Sequence, residues 1–181
     1  MSYTKPRSFY FLLHPRPTVV VMTLCPNNRV NAMTVSWIMP VSEEPPTVSM
    51  AIDREAYTIE CLEYHSELTI NIPSTNQVET VYKLGTVSGR SIDKVKEFKL
   101  RIDKAKRVAV PIWTDAIGWL ECKVVKALDV GEVRLYIAEV LEWYAKAEAA
   151  SEWGWILTKV SPLLHGVGKA FYSIGRLYRV K

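Results

Sequence analysis

Four residues in a seven-residue stretch, Ser88, Gly89, Arg90 and Lys94, bring together a hydroxyl, an accessible backbone, a forked cation and a point cation. That is the donor set an anionic group such as a phosphate requires. A helix beginning near Ser91 would add its free amides. Taken alone, the same stretch also reads as an exposed turn carrying surface cations. Other familiar chemistries lack their residues. No GxGxxG follows a strand, no GxxxxGK[ST] loop occurs, and neither HExxH nor GxSxG is present, which leaves Rossmann-type nucleotide binding, P-loop chemistry, metalloprotease sites and nucleophile elbows unsupported. His14, His65 and His165 lie far apart in the chain. Cys25, Cys61 and Cys122 show neither CxxC nor any other metal-ligand spacing. They are expected to be reduced thiols that pack as small buried hydrophobes.

The elements that would position these residues are short. Val19 to Leu24 is a β-branched run bounded by Pro17 and by Pro26-Asn-Asn28, the mark of a buried strand followed by a loop. A second strand is expected near Asn31 to Ile38, then a long turn over the proline-rich MPVSEEPP, then a third strand at Thr47 to Ile52. Helical spacing predicts a short amphipathic helix over Ala56 to His65, with Asp53 as a candidate cap. Leu68 to Ile72 returns as a strand that Pro73 stops, and short helices are predicted at Gln77 to Leu84 and Ser91 to Phe98. Ile117 to Leu128 and Glu132 to Trp143 form a predicted hairpin with a bulge near Ala138. Lys94 to Arg107 reads as a solvated basic face. Short strands with interposed helices and no long βαβ alternation define a mainly β protein with short helices.

Composition sets the frame. The chain has 181 residues, 49% of them apolar, and a net charge of +4 from 23 basic and 19 acidic residues mixed throughout. Residues 1–181 are expected to form one domain. The charge is too small and too scattered for a nucleic-acid footprint. The N-terminal apolar patch is broken by His14-Pro-Arg-Pro17, so neither a signal peptide nor a membrane span is expected, and the protein is placed in the cytoplasm.

Three segments in order, Asn31-Ala-Met-Thr-Val-Ser-Trp37 followed by Pro45-Pro46, then Tyr57-Thr58, then Ser88-Gly-Arg90 with Asp93-Lys94, resemble the flavin-reductase-like, FMN-binding split-barrel family that includes the flavoredoxins. Asn71-Ile-Pro73, Leu120-Glu-Cys122 and Tyr172 to Gly175 extend the resemblance over most of the chain. It implies a Greek-key split β-barrel with FMN as cofactor. A flavin ring is flat, apolar on its faces and rimmed by hydrogen-bonding atoms, so it needs close backbone approach; Ala32, Thr34 and Ser36 are small enough to allow it. The implied cofactor-binding residues are Asn31, Ala32, Met33, Thr34, Ser36 and Trp37 toward the ring, with Thr58, Ser88, Gly89, Arg90 and Lys94 toward the phosphate. Trp37 reads equally as a core or interface aromatic, and Thr58 equally as a helix-start residue.

The resemblance implies a flavoprotein oxidoreductase that passes electrons through FMN, with NAD(P)H as electron donor. One departure opens an alternative. Where such reductases often carry Gly-Asp-His before the late strand, this chain has Gly131-Glu132-Val133, which fits an electron carrier reduced by a redox partner protein. His165 is a candidate substitute for the absent histidine, or a structural residue. A homodimer is implied, with Trp153, Trp155, Leu163, Phe171 and Tyr172 reading equally as interface or as core residues; neither nucleic acid nor membrane is an expected partner.

Overall fold

The run Val19-Val-Val-Met22 is apolar at every position because both of its faces are covered. In the computed structural model, which describes residues 1–178, Val19 and Val21 enter one hydrophobic cluster, and Val20 and Met22 enter a second. The strand that carries them, β2 (Val19–Cys25), follows a two-residue strand β1 (Arg16–Pro17) and pairs on one side with β3 (Arg29–Val35). Then come β4 (Ile38–Glu43), β5 (Pro46–Asp53), α1 (Tyr57–Tyr64) and β6 (Glu67–Ile72). Two helices follow, α2 (Val78–Thr86) and the four-residue α3 (Lys94–Glu97), then short β7 (Ile102–Asp103) and β8 (Ile112–Trp113). The long hairpin is β9 (Gly118–Val130) with β10 (Val133–Ala145). Four two-residue strands close the chain: β11 (Ala150–Ser151), β12 (Gly154–Trp155), β13 (Leu164–His165) and β14 (Phe171–Tyr172).

Seven strands form one antiparallel sheet in the order β3-β2-β6-β9-β10-β5-β4. The first cluster, with Ile59 and Leu62 of α1 against Leu68, Ile70, Tyr136 and Val140, fills one side. The second lies under Val81 and Leu84 of α2 and is closed by Trp113, Trp119 and Leu163. Two buried polar side chains tie the connecting segment to the sheet. Asn71 Nδ2 donates to Val20 O at 3.0 Å while its Oδ1 accepts from Trp113 N at 2.7 Å. The Glu121 carboxylate accepts from Lys106 N at 2.8 Å, Arg107 N at 2.5 Å and the Tyr144 hydroxyl at 2.8 Å. Each buried polar group is satisfied by backbone that would otherwise be unpaired.

Several expectations are corrected. The proline-rich segment is not a long turn: it continues as β4, and only Glu44 and Pro45 separate β4 from β5. Pro40 is tolerated because β4 is the edge of the sheet, and the register shifts between Pro40 and Ser42. The bulge near Ala138 is present, but the extra residue there is Val125 on β9, so Tyr136, Ala138 and Val140 keep a common face toward the core. Helix α1 begins after Ala56 without a side-chain cap, and Asp53 instead accepts from Glu55 N at 2.8 Å in the preceding turn. Of Ser91 and Asp93, both candidates at the start of this helix, it is Asp93 that caps α3, accepting from Lys96 N at 3.1 Å. Leu163 is core, not interface.

Cys25 and Cys61 are joined as a disulfide that staples the end of β2 to α1, while Cys122 is free and buried. The expectation of three reduced thiols is therefore overturned, and the reducing compartment inferred from it loses its premise. Spacing gave no signal because the two sulfurs meet only after β2 and α1 pack together. A staple closing this loop constrains the unfolded chain. Cys61→Ser should lower the unfolding free energy by about 2–4 kcal/mol in denaturant titration, and thiol titration of the denatured, unreduced protein should find Cys122 alone reactive.

Candidate functional site

A cavity of about 380 Å³ lies where β3, the β5–α1 turn, the end of α2 and the loop before α3 converge. From β3 it takes Asn31 and Met33, from the start of α1 Tyr57 and Thr58, from the loop Ser88, Gly89 and Arg90, and from the first residue of α3 Lys94. Asn31 Nδ2 donates to Thr58 Oγ1 at 3.0 Å, and Thr58 Oγ1 donates to Met33 Sδ at 3.1 Å. Asn31 Oδ1 is buried and has no partner among the described residues. A group left this way favours a ligand donor in the same space. Gly89 faces it closely: a Cβ there would collide with Asn31 Oδ1 and sit 2.9 Å from the Tyr57 ring. Only glycine lets the loop approach this far.

The cations of the loop differ in state. Arg90 is paired with Glu60, donates to Glu55 O at 2.7 Å and stands 5.6 Å from the Tyr57 ring centroid. Its charge is thus partly balanced. Lys94 was expected on a solvated face, yet it is buried, and its ammonium donates to Leu84 O at 2.7 Å. Burial without a carboxylate pushes its pKa down to about 8. Arg29 lines neither cavity but holds the loop, bonded to Gly89 O with its guanidinium 5.3 Å from the Tyr57 ring centroid.

A second cavity of about 250 Å³ shares Gly85 and Thr86 with the first and runs on along β3 past Thr34 and Ser36 to His165 and Phe171. Thr34 Oγ1 donates to Val81 O at 2.5 Å, and Ser36 Oγ lies 3.3 Å from His165 Nδ1. Because β3 is the other edge of the sheet, no strand covers its outer backbone. Of the residues picked out in the sequence, Asn31, Met33, Thr58, Ser88, Gly89, Arg90 and Lys94 line the first cavity, and Thr34 and Ser36 the second. Ala32 points into the core. Trp37 lines neither cavity and packs against Arg16 and Tyr10. Tyr57 and Gly85 were missed as site residues; Tyr57 stands beside Thr58 in the same segment, whereas Gly85 carried no signal. Val133 pairs with Asp53, itself on the rim of the first cavity.

The fold is an antiparallel split barrel with two adjacent cavities beside an edge strand, one lined by Arg90 and Lys94 and the other by Tyr82, His165 and Phe171. Residues 11–172 match the flavin reductase like domain, and the chain belongs to that family. An uncharacterised protein of Archaeoglobus fulgidus is 30% identical over 129 residues, covering 71% of this chain and 72% of its own length. A flavin reductase (NADH) of Kitasatospora aureofaciens is 26% identical, covering 76% and 70%. Among solved structures, flavoredoxin from Methanosarcina acetivorans superposes with a TM-score of 0.89 at 20% identity over 99% of this chain and 95% of its own. An FMN-binding protein from Thermus thermophilus gives 0.85 at 20% identity over 100% and 98%.

Lys94 makes stability pH-dependent in a defined direction. Its folded pKa, about 8, lies below its ordinary 10.5. Below pH 8 both states are protonated and the cost of burying the charge is fully present. Between the two values the unfolded chain holds the proton that the folded chain has released, so stability rises with pH. Relative to Lys94→Met, the wild-type chain should gain up to about 3 kcal/mol between these two pH values, measured by denaturant unfolding across the range.

Proposed function

We propose that this chain is an FMN-binding oxidoreductase whose two adjacent cavities hold the cofactor, the phosphate toward Ser88, Gly89, Arg90, Lys94 and Thr58, and the ring along Asn31, Met33, Thr34 and Ser36. The observation that carries this is the buried, carboxylate-free Lys94 at one end of a groove that also holds the unpartnered Asn31 Oδ1. Each is a cost of burial that a ligand with an anionic tail and a hydrogen-bonding ring would offset. Bound FMN would supply the two-electron chemistry, and the protein sets its position and electrostatics. Asn31 Oδ1 is free to accept a hydrogen bond, Ser36 offers a hydroxyl, and the outer backbone of β3 offers unpaired groups. Lys94 takes up its proton more readily beside an anion, and Gly89 keeps the loop within reach.

Direct reduction by NAD(P)H is one reading of the electron source. Val133 favours a second, in which a protein partner reduces the flavin, because an apolar residue at the β9–β10 turn supplies no donor to a nicotinamide. We place two chains in the working assembly. Exposed Val125, Leu128 and Val130 on β9, Met39 and Val41 on β4, and Trp143 and Trp153 form apolar surface that a second copy would cover.

The purified protein should quench added FMN fluorescence and bind riboflavin, which lacks the phosphate, at least about tenfold more weakly. FMN affinity should fall as pH rises through about 8, the folded pKa of Lys94, because binding then requires proton uptake. Gly89→Ala should weaken FMN binding by about tenfold or more, since its Cβ fills the cradle. Anaerobic NADH or NADPH that bleaches the bound flavin identifies a reductase. Bleaching by dithionite alone identifies the carrier, and a chain that takes up no FMN sinks both readings. Sedimentation at micromolar concentration should return twice the chain mass; a monomer refutes the pairing.

A further inference from the structure

Arg54, Arg90, Arg101 and Arg134 each pair with a carboxylate. Arg16 pairs with none among the described residues. Its guanidinium lies 5.1 Å from the Trp37 ring centroid, one terminal nitrogen is 3.2 Å from His14 Nε2, and its Nε is buried without a hydrogen-bond partner. His14 Nδ1 is 3.0 Å from His165 O, an acceptor, so Nδ1 carries the proton and Nε2 accepts from Arg16. His165 Nε2 likewise faces Gly168 O at 3.0 Å, and its Nδ1 lies 3.3 Å from Ser36 Oγ. Desolvation lowers the Arg16 pKa, the physical sign of a cation short of water and of counter-charge.

The position of this cation matters as much as its state. Arg16 pairs across β1–β13 with His165, and His165 lines the far end of the second cavity beside Ser36. The phosphate-type cations stand at the opposite end of the joined groove. A half-buried guanidinium that lacks a carboxylate and keeps unused donors is suited to a bidentate bond with an incoming oxyanion. Trp37 beneath it favours a ligand whose acid group is carried on a flat, apolar body.

We propose that Arg16, held by His14 against Trp37, anchors a carboxylate or phosphate on the molecule that exchanges electrons with the flavin. The inference rests on the flavin reading above. It assigns to β1 and β13 the selection of an acidic redox partner molecule.

The test uses FMN-loaded protein titrated calorimetrically with benzoate, phenyl phosphate and the neutral benzyl alcohol. At least one anion should bind about tenfold or more tightly than the alcohol, the scale of a charge-assisted bidentate pair. A preference for benzoate assigns a carboxylic acid, and one for phenyl phosphate a phosphorylated molecule. Arg16→Gln should bring the ratio of anion to alcohol affinity close to one, and Arg16→Lys, which keeps the charge without the fork, should retain part of it. Each variant is first checked by circular dichroism; if Arg16→Gln does not fold, the Arg16→Lys ratio decides. Equal binding of anion and alcohol by the wild-type chain overturns the proposal, as does a ratio unchanged in the variants. Failure of the flavin reading is distinct, since it shows as a chain without flavin absorbance. Anion binding that such a chain loses with Arg16 would leave the oxyanion site standing and remove only its link to FMN.

Discussion

Burial of β2 on both faces is the constraint from which the remaining architecture follows. A strand reading Val-Val-Val-Met has no face that water can solvate, so two separate layers must cover it. On one side α1 and the strands β6, β9, β10 and β5 supply that layer, and on the other α2 and the segment around Trp113 and Trp119. Because β2 pairs with β3 on one flank and β6 on the other, covering it also fixes β3 as an edge strand. The candidate site exists where that edge meets the two helices doing the covering.

The same geometry explains how weak local signals combine into a site. Thr58 and Asn31 are far apart in the chain but meet because α1 packs on the hairpin of β2 and β3, and the Cys25–Cys61 disulfide holds that contact. Gly89 and Lys94 arrive from the opposite side behind α2. Lys94 is kept buried by a carbonyl at the end of α2, so its position and its depressed pKa share one cause. Arg90, by contrast, is tied to Glu60 of α1 and acts as a latch between loop and helix. Two cations four residues apart thus hold different electrostatic roles.

The far end of the groove is organised by two histidines and the backbone carbonyls they face. His14 and His165 stack edge to face at 5.7 Å and each spends one nitrogen on a backbone carbonyl. Arg16 lies beside that end, over the Trp37 indole and bonded to His14 Nε2.

Strands with pure apolar or alternating patterns were legible in the sequence, since β2, β6 and the β9–β10 hairpin follow from periodicity and from turn residues such as Gly131, whose φ is +57°. So were the segments that build the first cavity, because small residues, a hydroxyl and clustered cations declare their chemistry by type alone. Edge strand β4 was hidden by its prolines, whose tolerance depends on a neighbour being absent on one side. The disulfide, the burial of Lys94, the closeness of Gly89 to Asn31 and the unpaired Arg16 were decided only by tertiary structure. Each is a meeting of residues brought together by strand order, and separation along the chain carries no record of which surfaces a seven-stranded sheet will press together.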